Sequence, residues 1–162
     1  MKIPQFDSSA CFDSPVGNIN VYARGERVVF LTMGEVACEV TGRAKVLGIA
    51  KKQLTDYFKG KSKVLDFAVE LHGTTFQEAV WQQIAALGWG QTASYADIAI
   101  AIGNPKAVRA VGGAVGANPV PLVVGCHRVM GASGQITGYS GGDGIPTKKW
   151  LLAHESIDYR DK

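Results

Sequence analysis

The residues best suited to covalent chemistry lie in one short run, Cys126, His127 and Arg128. A cysteine reacts as its thiolate, so a nucleophilic cysteine needs a base or a positive field beside it. His127 is the candidate base, but neighbouring residues of an extended chain point to opposite faces. The two side chains can therefore cooperate only through a turn or a bridging water. The alternative is a buried cysteine beside a structural histidine, since free cysteine is among the most buried residue types.

The two other cysteines, Cys11 and Cys38, lie in a β-rich region with no histidine or cation cluster beside them, and we expect them to be inert. Three cysteines without a CxxC pair argue against a disulfide framework or a cysteine-based zinc site, and indicate a reducing compartment. The N-terminus has no apolar signal region, and no apolar run approaches membrane-spanning length. These features predict a soluble, cytoplasmic protein with no metal and no cofactor.

Two short predicted helices precede the cysteine. Residues 94–102 and 106–115 both have helical spacing, and the turn between them contains Gly103. Ser94 is the candidate cap of the first helix. Two short helices joined by such a turn are typical of a helix-turn-helix, although many such pairs are merely packed helices. The net charge of +3 permits a nucleic-acid partner without arguing strongly for one.

The second of these helices has an unusual surface. Gly112 and Gly113 lie inside it, and each glycine costs about 1 kcal/mol relative to alanine. Ala107, Ala110 and Ala114 extend the small-residue surface around one long cation, Arg109. This surface suits either close packing against another helix or a helix thin enough to lie deep in a DNA groove, with Arg109 in the base stack. Composition does not separate these interpretations.

Two further segments follow the cysteine. Residues 131–144 contain six glycines interrupted by Tyr139 and Ser140, a composition that suits a pocket wall approached closely by a planar ligand. A flexible surface loop is the simpler alternative. Residues 146–156 predict a helix with Glu155 near its end, where an isolated glutamate would be a solvated charge.

The rest of the chain provides the elements that must position these residues. Residues 18–23 and 27–33 predict a β-hairpin, residues 44–58 a helix and residues 64–71 another strand. A helix capped by Thr74 or Thr75 follows and ends at Gly88, and residues 122–124 predict a short buried strand. Because the pattern changes from β-rich to helical, we predict an α+β chain with two domains, residues 1–73 and 74–162. The first has a small antiparallel sheet and a helix, and the second is mostly helical.

Several blocks of the second half occur in the order and spacing of one known family. These blocks are Ser94-Tyr95, GNPKAVRAVGGAV, NPVP, CHRV, GYSGG and KKWLLAHE. They resemble the O6-alkylguanine-DNA alkyltransferases, also called methylated-DNA–protein-cysteine methyltransferases. The likeness covers residues 74–162, whereas the N-terminal part matches only in outline, through SPVG and YFKG. It implies a winged-helix-like helix-turn-helix and DNA repair by a single, irreversible transfer of an alkyl group from O6 of guanine to the protein's own cysteine. O4 of thymine is a further candidate target.

The resemblance also implies a catalytic role for five residues. Cys126 is similar to the alkyl acceptor of the family, and His127 to the base that draws off its proton through a water, with Glu155 orienting His127. Asn118 resembles the asparagine that braces the turn before the strand leading to the cysteine. Tyr95 resembles the tyrosine that crowds the target phosphate and donates to guanine N3 after the base has rotated out of the helix.

The remaining implied roles concern DNA and the base. Arg109 resembles the arginine that fills the vacated stack, and the other expected DNA contacts are Tyr95, Ala107, Ala110, Gly112, Gly113 and Arg128. The expected substrate pocket consists of Val129, Ser140, Tyr139, Val115, Pro121 and Gly141. Ser140 and the carbonyls of Cys126 and Val129 are expected to hold the guanine. The implied partner is double-stranded DNA containing alkylated guanine, bound by a monomer.

One position departs from the family, and two other function classes compete. Gly125 stands where the family usually has proline, so the segment before Cys126 is expected to be looser. A Cys-His hydrolase would need a second catalytic histidine, and His72 and His154 have no motif around them. A damage-binding relative or a DNA-binding regulator would act without catalysis. The binding-only relatives replace the cysteine that this chain retains as Cys126.

Overall fold

The computed structural model describes residues 3–34 and 37–161 of the chain. Its N-terminal part is an antiparallel sheet with strand order β1-β2-β3, built from β1 (Ser8–Phe12), β2 (Asn18–Arg24) and β3 (Arg27–Gly34). Arg24 pairs with Arg27 across a two-residue turn, and Gly25 has a φ of 59° there. A left-handed first turn residue is what a tight hairpin needs. The predicted hairpin is therefore confirmed, and β1 is an addition to it.

One helix, α1 (Lys45–Phe58), packs against this sheet. Its buried side chains recur at helical spacing, as the sequence predicts, and they are Val46, Leu47, Ala50, Leu54, Tyr57 and Phe58. The helix thus places Tyr57 in the interior near its C-terminal end, a position that matters for the site described below.

The predicted strand at residues 64–71 is wrong. Only an isolated bridge joins Val69 to Val28 of β3, with hydrogen bonds at Ala68 and Glu70. Earlier in the segment, the backbone amides of Asp66 and Phe67 donate to the side chain of Gln53 on α1. These two amides are therefore not available for the hydrogen bonds of a regular strand pairing. The alternating residue pattern of the segment does not report this side-chain contact.

The prediction that Cys11 and Cys38 stay unpaired is also wrong, because a disulfide joins them. The segment that carries Cys38 lies beside β1 and β2: Ser9 pairs with Thr41, and Asn20 donates to the carbonyl of Ala37. The two Cα atoms are 5.5 Å apart, within the range that a disulfide needs. Because these cysteines are paired, they no longer indicate a reducing compartment.

The second half is mainly helical. Its elements are α2 (Thr75–Ala85), β4 (Ala93–Ser94), α3 (Tyr95–Ala101), α4 (Val108–Gly116), β5 (Val129–Met130) and α5 (Ile145–His154). Thr74 and Ser94 close capping boxes at the starts of α2 and α3, in agreement with the predicted caps. A parallel pairing of β4 with β5 connects the start of α3 to the segment just after the candidate nucleophile.

The predicted strand at residues 122–124 is wrong as well. Pro121 and Val124 bridge across a turn in which Leu122 has a φ of 79°, and Val124 donates back to Val120. A left-handed conformation is costly for a residue with a Cβ. Leu122 adopts it while its side chain is 2% exposed in the core, so burial is what holds the turn.

Two apolar clusters meet around this turn. The sheet and α1 pack with Val120, Leu122 and Leu151, which all come from the second half of the chain. Helices α2, α3 and α4 pack with Val124 and Cys126. The segment leading to Cys126 therefore packs against both clusters. The predicted domain boundary near residue 73 stays a prediction. None of the helices in the described residues is long and apolar enough to cross a membrane.

Candidate active site

Cys126 begins a single 3₁₀ turn, Cys126–Arg128, and is 4% exposed. The turn is closed by a hydrogen bond from the Arg128 amide to the Gly125 carbonyl. Asn118 fixes the preceding segment from both sides, since its amide nitrogen donates to the Val124 carbonyl at 2.7 Å and its oxygen accepts from the Val120 amide at 3.0 Å. A turn is one of the two ways in which Cys126 and His127 were expected to cooperate.

The carboxylate of Glu155 is the centre of a buried hydrogen-bond network. Its Oε2 accepts from Tyr57 Oη at 2.6 Å, from His127 Nε2 at 2.6 Å and from Arg128 Nη2 at 2.9 Å. Its Oε1 accepts from Arg128 Nε at 2.8 Å and from the Gly90 amide at 3.2 Å. Glu155 is 1% exposed. The alternative that it is a solvated surface charge is therefore wrong.

These contacts determine the charge states of the pair. Burial raises the pKa of Glu155, but the hydrogen bonds from His127 and Arg128 outweigh it and hold the pKa well below its ordinary value. Burial lowers the pKa of His127, more than Glu155 raises it. The imidazole is therefore neutral at pH 7, with its proton on Nε2 toward Glu155. Its Nδ1 is buried without a hydrogen-bond partner in residues 3–34 and 37–161, so its lone pair can accept a proton.

Burial also raises the pKa of the Cys126 thiol, against contributions from Asn118, Tyr139 and Lys148 that lower it. Lys148 Nζ donates to the Val129 carbonyl at 2.8 Å, and burial lowers its pKa to about 8. The Tyr139 hydroxyl is buried beside the thiol, and no described residue gives it a hydrogen bond of good geometry. Cys126 is thus a protonated thiol at rest that needs a base in order to react.

Two cavities open on Cys126. The first, of about 530 Å³, lies between α4 and the glycine-rich segment, and is lined by Tyr95, Arg109, Gly112, Val115, Tyr139 and Ser140 among others. The second, of about 570 Å³, includes Asn118, Pro121 and Gly141. Both cavities are lined by Cys126, Gly116 and Ser140. The structure thus brings most of the predicted pocket residues together around the thiol.

The glycines of α4 do not serve helix packing, whereas Ala114 does, because it is 4% exposed and packs in the cluster shared with α2 and α3. A Cβ added at Gly112 or Gly113 would meet no atom within 4 Å, and Arg109, Ala110 and Gly113 are exposed. Ala107 is half-buried at the start of the helix. The close-packing interpretation is therefore wrong for these glycines, and the thin face of α4 is open to a partner.

Two predicted site residues are placed differently from expectation. Arg128 was expected on DNA, but it is 6% exposed and its guanidinium bonds Glu155 and the Leu87 carbonyl. Arg128 therefore neutralises the buried carboxylate of Glu155 and does not face a partner at the surface. Val129 is fully buried, lines neither cavity, and its carbonyl already accepts from Lys148. The role of the Val129 carbonyl in holding the guanine stays a prediction.

Three site residues were missed by the sequence argument. Tyr57 and Lys148 lie in the YFKG and KKWLLAHE blocks, which were matched as blocks without a role for either side chain. Thr137 bonds the Tyr95 hydroxyl at 2.9 Å and lines the first cavity. The two remaining histidines lie elsewhere: His72 pairs with Glu70 at the surface, and His154 donates to the Tyr57 carbonyl.

Comparison with known proteins gives a consistent result. The family model described as "6-O-methylguanine DNA methyltransferase, DNA binding domain" matches residues 75–157. The constitutive methylated-DNA–protein-cysteine methyltransferase of Bacillus subtilis is 46% identical over 72% of this chain and 70% of its own. The methylated-DNA–protein-cysteine methyltransferase of Mycobacterium bovis is 41% identical over 88% of both chains.

Solved structures agree with these matches. The crystal structure of Mycobacterium tuberculosis O6-methylguanine methyltransferase superposes with a TM-score of 0.81 at 40% identity, covering 91% of this chain and 92% of that one. Mycobacterium tuberculosis OGT in complex with DNA superposes with a TM-score of 0.83 at the same identity and coverage.

Proposed function

Because the chain belongs to the methylated-DNA–protein-cysteine methyltransferase family, we propose that Cys126 takes the alkyl group from O6 of guanine in DNA and keeps it. The observation that carries this proposal is the free, buried thiol of Cys126, which lies at the meeting point of two cavities and beside the His127–Glu155 pair. A bond forms between Sγ and the alkyl carbon while the carbon–O6 bond breaks. The thioether product is stable, so each molecule reacts once.

The proton of the thiol leaves through His127. A water between Sγ and His127 Nδ1 carries the proton to the imidazole, because His127 Nε2 is already bonded to Glu155. The imidazolium formed in this step is stabilised by the ionised carboxylate, as in other nucleophile–base–acid chains. Arg128, Tyr57 and the Gly90 amide keep Glu155 charged at rest.

The guanine leaves as a weak base only if its developing charge is compensated. Tyr95 lines the first cavity, and its hydroxyl is a suitable donor to N3 of the base. Ser140, whose hydroxyl now donates to the Gly116 carbonyl, lies at the junction of the cavities and is the proposed contact to O6. Val115 and Tyr139 line the first cavity, and Pro121 and Gly141 the second. All four are proposed to surround the alkyl group.

Duplex DNA is the proposed partner, with α3 and α4 acting as a helix-turn-helix. The exposed small-residue face of α4 lets its backbone lie deep in the minor groove. Arg109 fills the space of the extruded base, which leaves the stack at a cost of about a few kcal/mol. We propose a monomer, and a cytoplasmic location because the target is chromosomal DNA. The cysteines no longer support that location.

Intact-mass measurement after incubation with an O6-methylguanine duplex tests this proposal. A persistent gain of one methyl group per molecule, mapped to Cys126, is expected. Repeated turnover with no adduct would indicate the hydrolase alternative, and tight binding without either would indicate a damage-binding protein. An unmodified duplex of the same sequence is the control.

A further inference from the structure

The densest positive charge of the chain lies on α1 and the segment that follows it. Residues 51–63 carry five lysines and one aspartate, a net charge of +4, whereas the whole chain carries +3. All five lysines are exposed. Residues 74–162, which contain α3 and α4, carry seven lysines and arginines against six acidic residues. The unbalanced positive charge is therefore concentrated outside the half that contains α4.

Few of the cations in the second half are free to meet a partner. Arg128 and Lys148 are buried, and Lys149 is paired with an aspartate. Lys106 and Arg109 are exposed beside and on α4. Cations that meet the phosphates of duplex DNA supply essentially all of the affinity that does not depend on sequence. Two exposed cations at α4 can supply only a small part of it.

The fold gathers three of the α1 lysines around one aspartate. The amides of Lys61 and Ser62 both donate to the Asp56 carbonyl, so the chain turns back over the last turn of the helix. Lys52 pairs with the Asp56 carboxylate from one turn earlier. The hydrogen bond from Lys52 and the charges of Lys61 and Lys59 lower the pKa of Asp56. The three ammonium groups therefore lie close to a single carboxylate, which can neutralise only one of them.

Lys63 extends this group of cations beyond the helix. Its Nζ lies 5.7 Å from the centre of the Trp89 ring, a distance at which a cation is attracted by an aromatic face. The Trp89 ring contacts the ring of Tyr57, with 5.4 Å between their centres, so Lys63 rests on a packed residue. We define the lysine surface as Lys52, Lys59, Lys61 and Lys63.

The lysine surface is separate from the site around Cys126. Helix α1 packs against the sheet, whereas α4 packs against α2 and α3. The described linings of the two cavities that open on Cys126 include none of the four lysines. A partner of the lysine surface therefore does not occupy the cavities in which the base is proposed to react.

We propose that the lysine surface binds the phosphate backbone of duplex DNA as a second contact, outside the groove that α4 occupies. The inference rests on the proposed function, because it takes duplex DNA as the partner. A lysine ammonium is a compact cation on a flexible stem, so it binds phosphates without reading the base sequence. The second contact raises the affinity for undamaged DNA and keeps the protein on DNA while α4 meets successive base pairs.

The salt dependence of binding to an unmodified duplex of several helical turns tests this inference. The variant combines Lys59→Gln, Lys61→Gln and Lys63→Gln. Each neutralised phosphate contributes about 0.9 to the slope of log Kobs against log salt concentration, so we expect the slope to fall by about two to three. The rate of transfer from a free O6-alkylguanine should not change, because these lysines lie outside the site.

The matched control removes the same charge at the opposite end of α1. It combines Arg27→Gln, Arg43→Gln and Lys45→Gln, three exposed cations. The carboxylate of Glu26 lies among them, since it accepts from the Lys45 amide. The 14 residues of α1 separate the two ends by about 20 Å, because an α-helix rises about 1.5 Å per residue. The control should lower the slope much less than the lysine variant does.

An unchanged slope in the lysine variant, or equal losses in the two variants, would overturn the inference and identify these lysines as solvated charges. If the wild type binds DNA but forms no adduct with an O6-methylguanine duplex, the proposed function fails, while the slope still reports on the lysine surface. The two failures are therefore distinguishable.

The length of the duplex identifies which DNA the lysine surface contacts. A slope loss that persists on a duplex of one helical turn supports a contact with a second DNA molecule. A loss that requires the longer duplex supports a contact with flanking DNA of the same molecule. Melting curves check that both variants are folded. Should the triple variant not fold, Lys61→Gln with Arg43→Gln as its control gives the same comparison, with an expected slope loss of about 0.9.

Discussion

The hydroxyl of Tyr57 donates a 2.6 Å hydrogen bond to Oε2 of Glu155, the same oxygen that accepts from His127 Nε2. Tyr57 is the only residue of the N-terminal helix α1 among the donors that the described structure places on this carboxylate. The N-terminal part of the chain therefore helps to hold the charge on which the proposed proton transfer depends.

We expect Tyr57→Phe to slow alkyl transfer and to destabilise the protein. The variant removes one donor from a buried carboxylate, and a hydrogen bond to a charged group contributes about 1.5–3 kcal/mol. The pKa of Glu155 should rise, and the pH profile of transfer should change with it. Tyr159→Phe, which removes a half-buried hydroxyl elsewhere, is the control. A loss of stability with an unchanged pH profile would show that Tyr57 acts in packing alone.

Replacement of Cys126 by alanine or serine should abolish transfer and leave DNA binding largely intact. Cys126 is the one free cysteine of the described residues, because Cys11 and Cys38 are joined in a disulfide. Peptide mapping of the adduct and a binding assay with the same alkylated duplex provide the two measurements. An adduct on Cys11 or Cys38 would contradict the assignment.

Folding stability should fall as the pH drops below about 6.5, the ordinary pKa of histidine. The pKa of His127 is lower in the folded protein than in the unfolded chain. As the pH falls, the unfolded chain therefore binds the proton first, and the free energy of unfolding decreases. Glu155, whose folded pKa is also lowered, adds a second loss below its unfolded pKa of about 4.3. Urea unfolding at pH 7, 6 and 5 measures the first effect.

The variant His127→Gln identifies the source of that pH dependence. It should flatten the stability curve between pH 7 and 5, because glutamine can still donate to Glu155 but does not titrate. His72→Gln, which removes an exposed histidine paired with Glu70, is the comparison variant, and it should change the curve less than His127→Gln does. If His127→Gln keeps the full slope, other groups are responsible for it.

Arg109→Ala should weaken the reaction with a damaged base in duplex DNA far more than the reaction with a free O6-alkylguanine. Arg109 is exposed on α4 at the mouth of the first cavity, where it can replace a base but does not touch the Glu155 network. Parallel rate measurements on both substrates are sufficient. Equal losses would place Arg109 in the chemistry or in the fold.

Gly125→Pro tests the departure from the family. Gly125 has a φ of −72°, which proline can adopt, so the restriction of the unfolded chain should contribute about 0.4–1 kcal/mol of stability. A Cβ there would lie 2.9 Å from Arg128 Nη1, and this contact offsets part of the gain. Gly125→Ala adds the same Cβ without the proline ring. We expect the proline variant to melt higher than the alanine variant and to transfer faster than the wild type.

Single-turnover transfer rates and melting curves of the wild type, Gly125→Pro and Gly125→Ala measure both effects. If the proline and alanine variants are both slower and less stable than the wild type, the contact of the added Cβ with Arg128 dominates. Gly125 is then a structural requirement of this protein.

Much of the site could be predicted because its residues are close in sequence or occur in ordered blocks. The Cys126-His127 adjacency, the capped helices and the glycine-rich segment depend on interactions within a few residues, which spacing and residue type report directly. The predicted strands at residues 64–71 and 122–124 failed for the opposite reason. In residues 64–71, backbone amides donate to the side chain of Gln53 on α1 instead of to a neighbouring strand. In residues 122–124, the burial of Leu122 in the cluster formed by the sheet and α1 holds the segment in a turn.

By itself, the sequence determined that this is an α+β protein with a nucleophilic cysteine beside a histidine and a thin, cationic helix, in the order of one repair family. Only the tertiary structure decided what surrounds that cysteine. It turned Arg128 inward to Glu155, brought Tyr57 to the same carboxylate from 98 residues away, and joined Cys11 to Cys38. The physical reason is that a buried charge selects its partners by proximity in space. Sequence spacing carries no record of contacts made only after the two halves of the chain have packed.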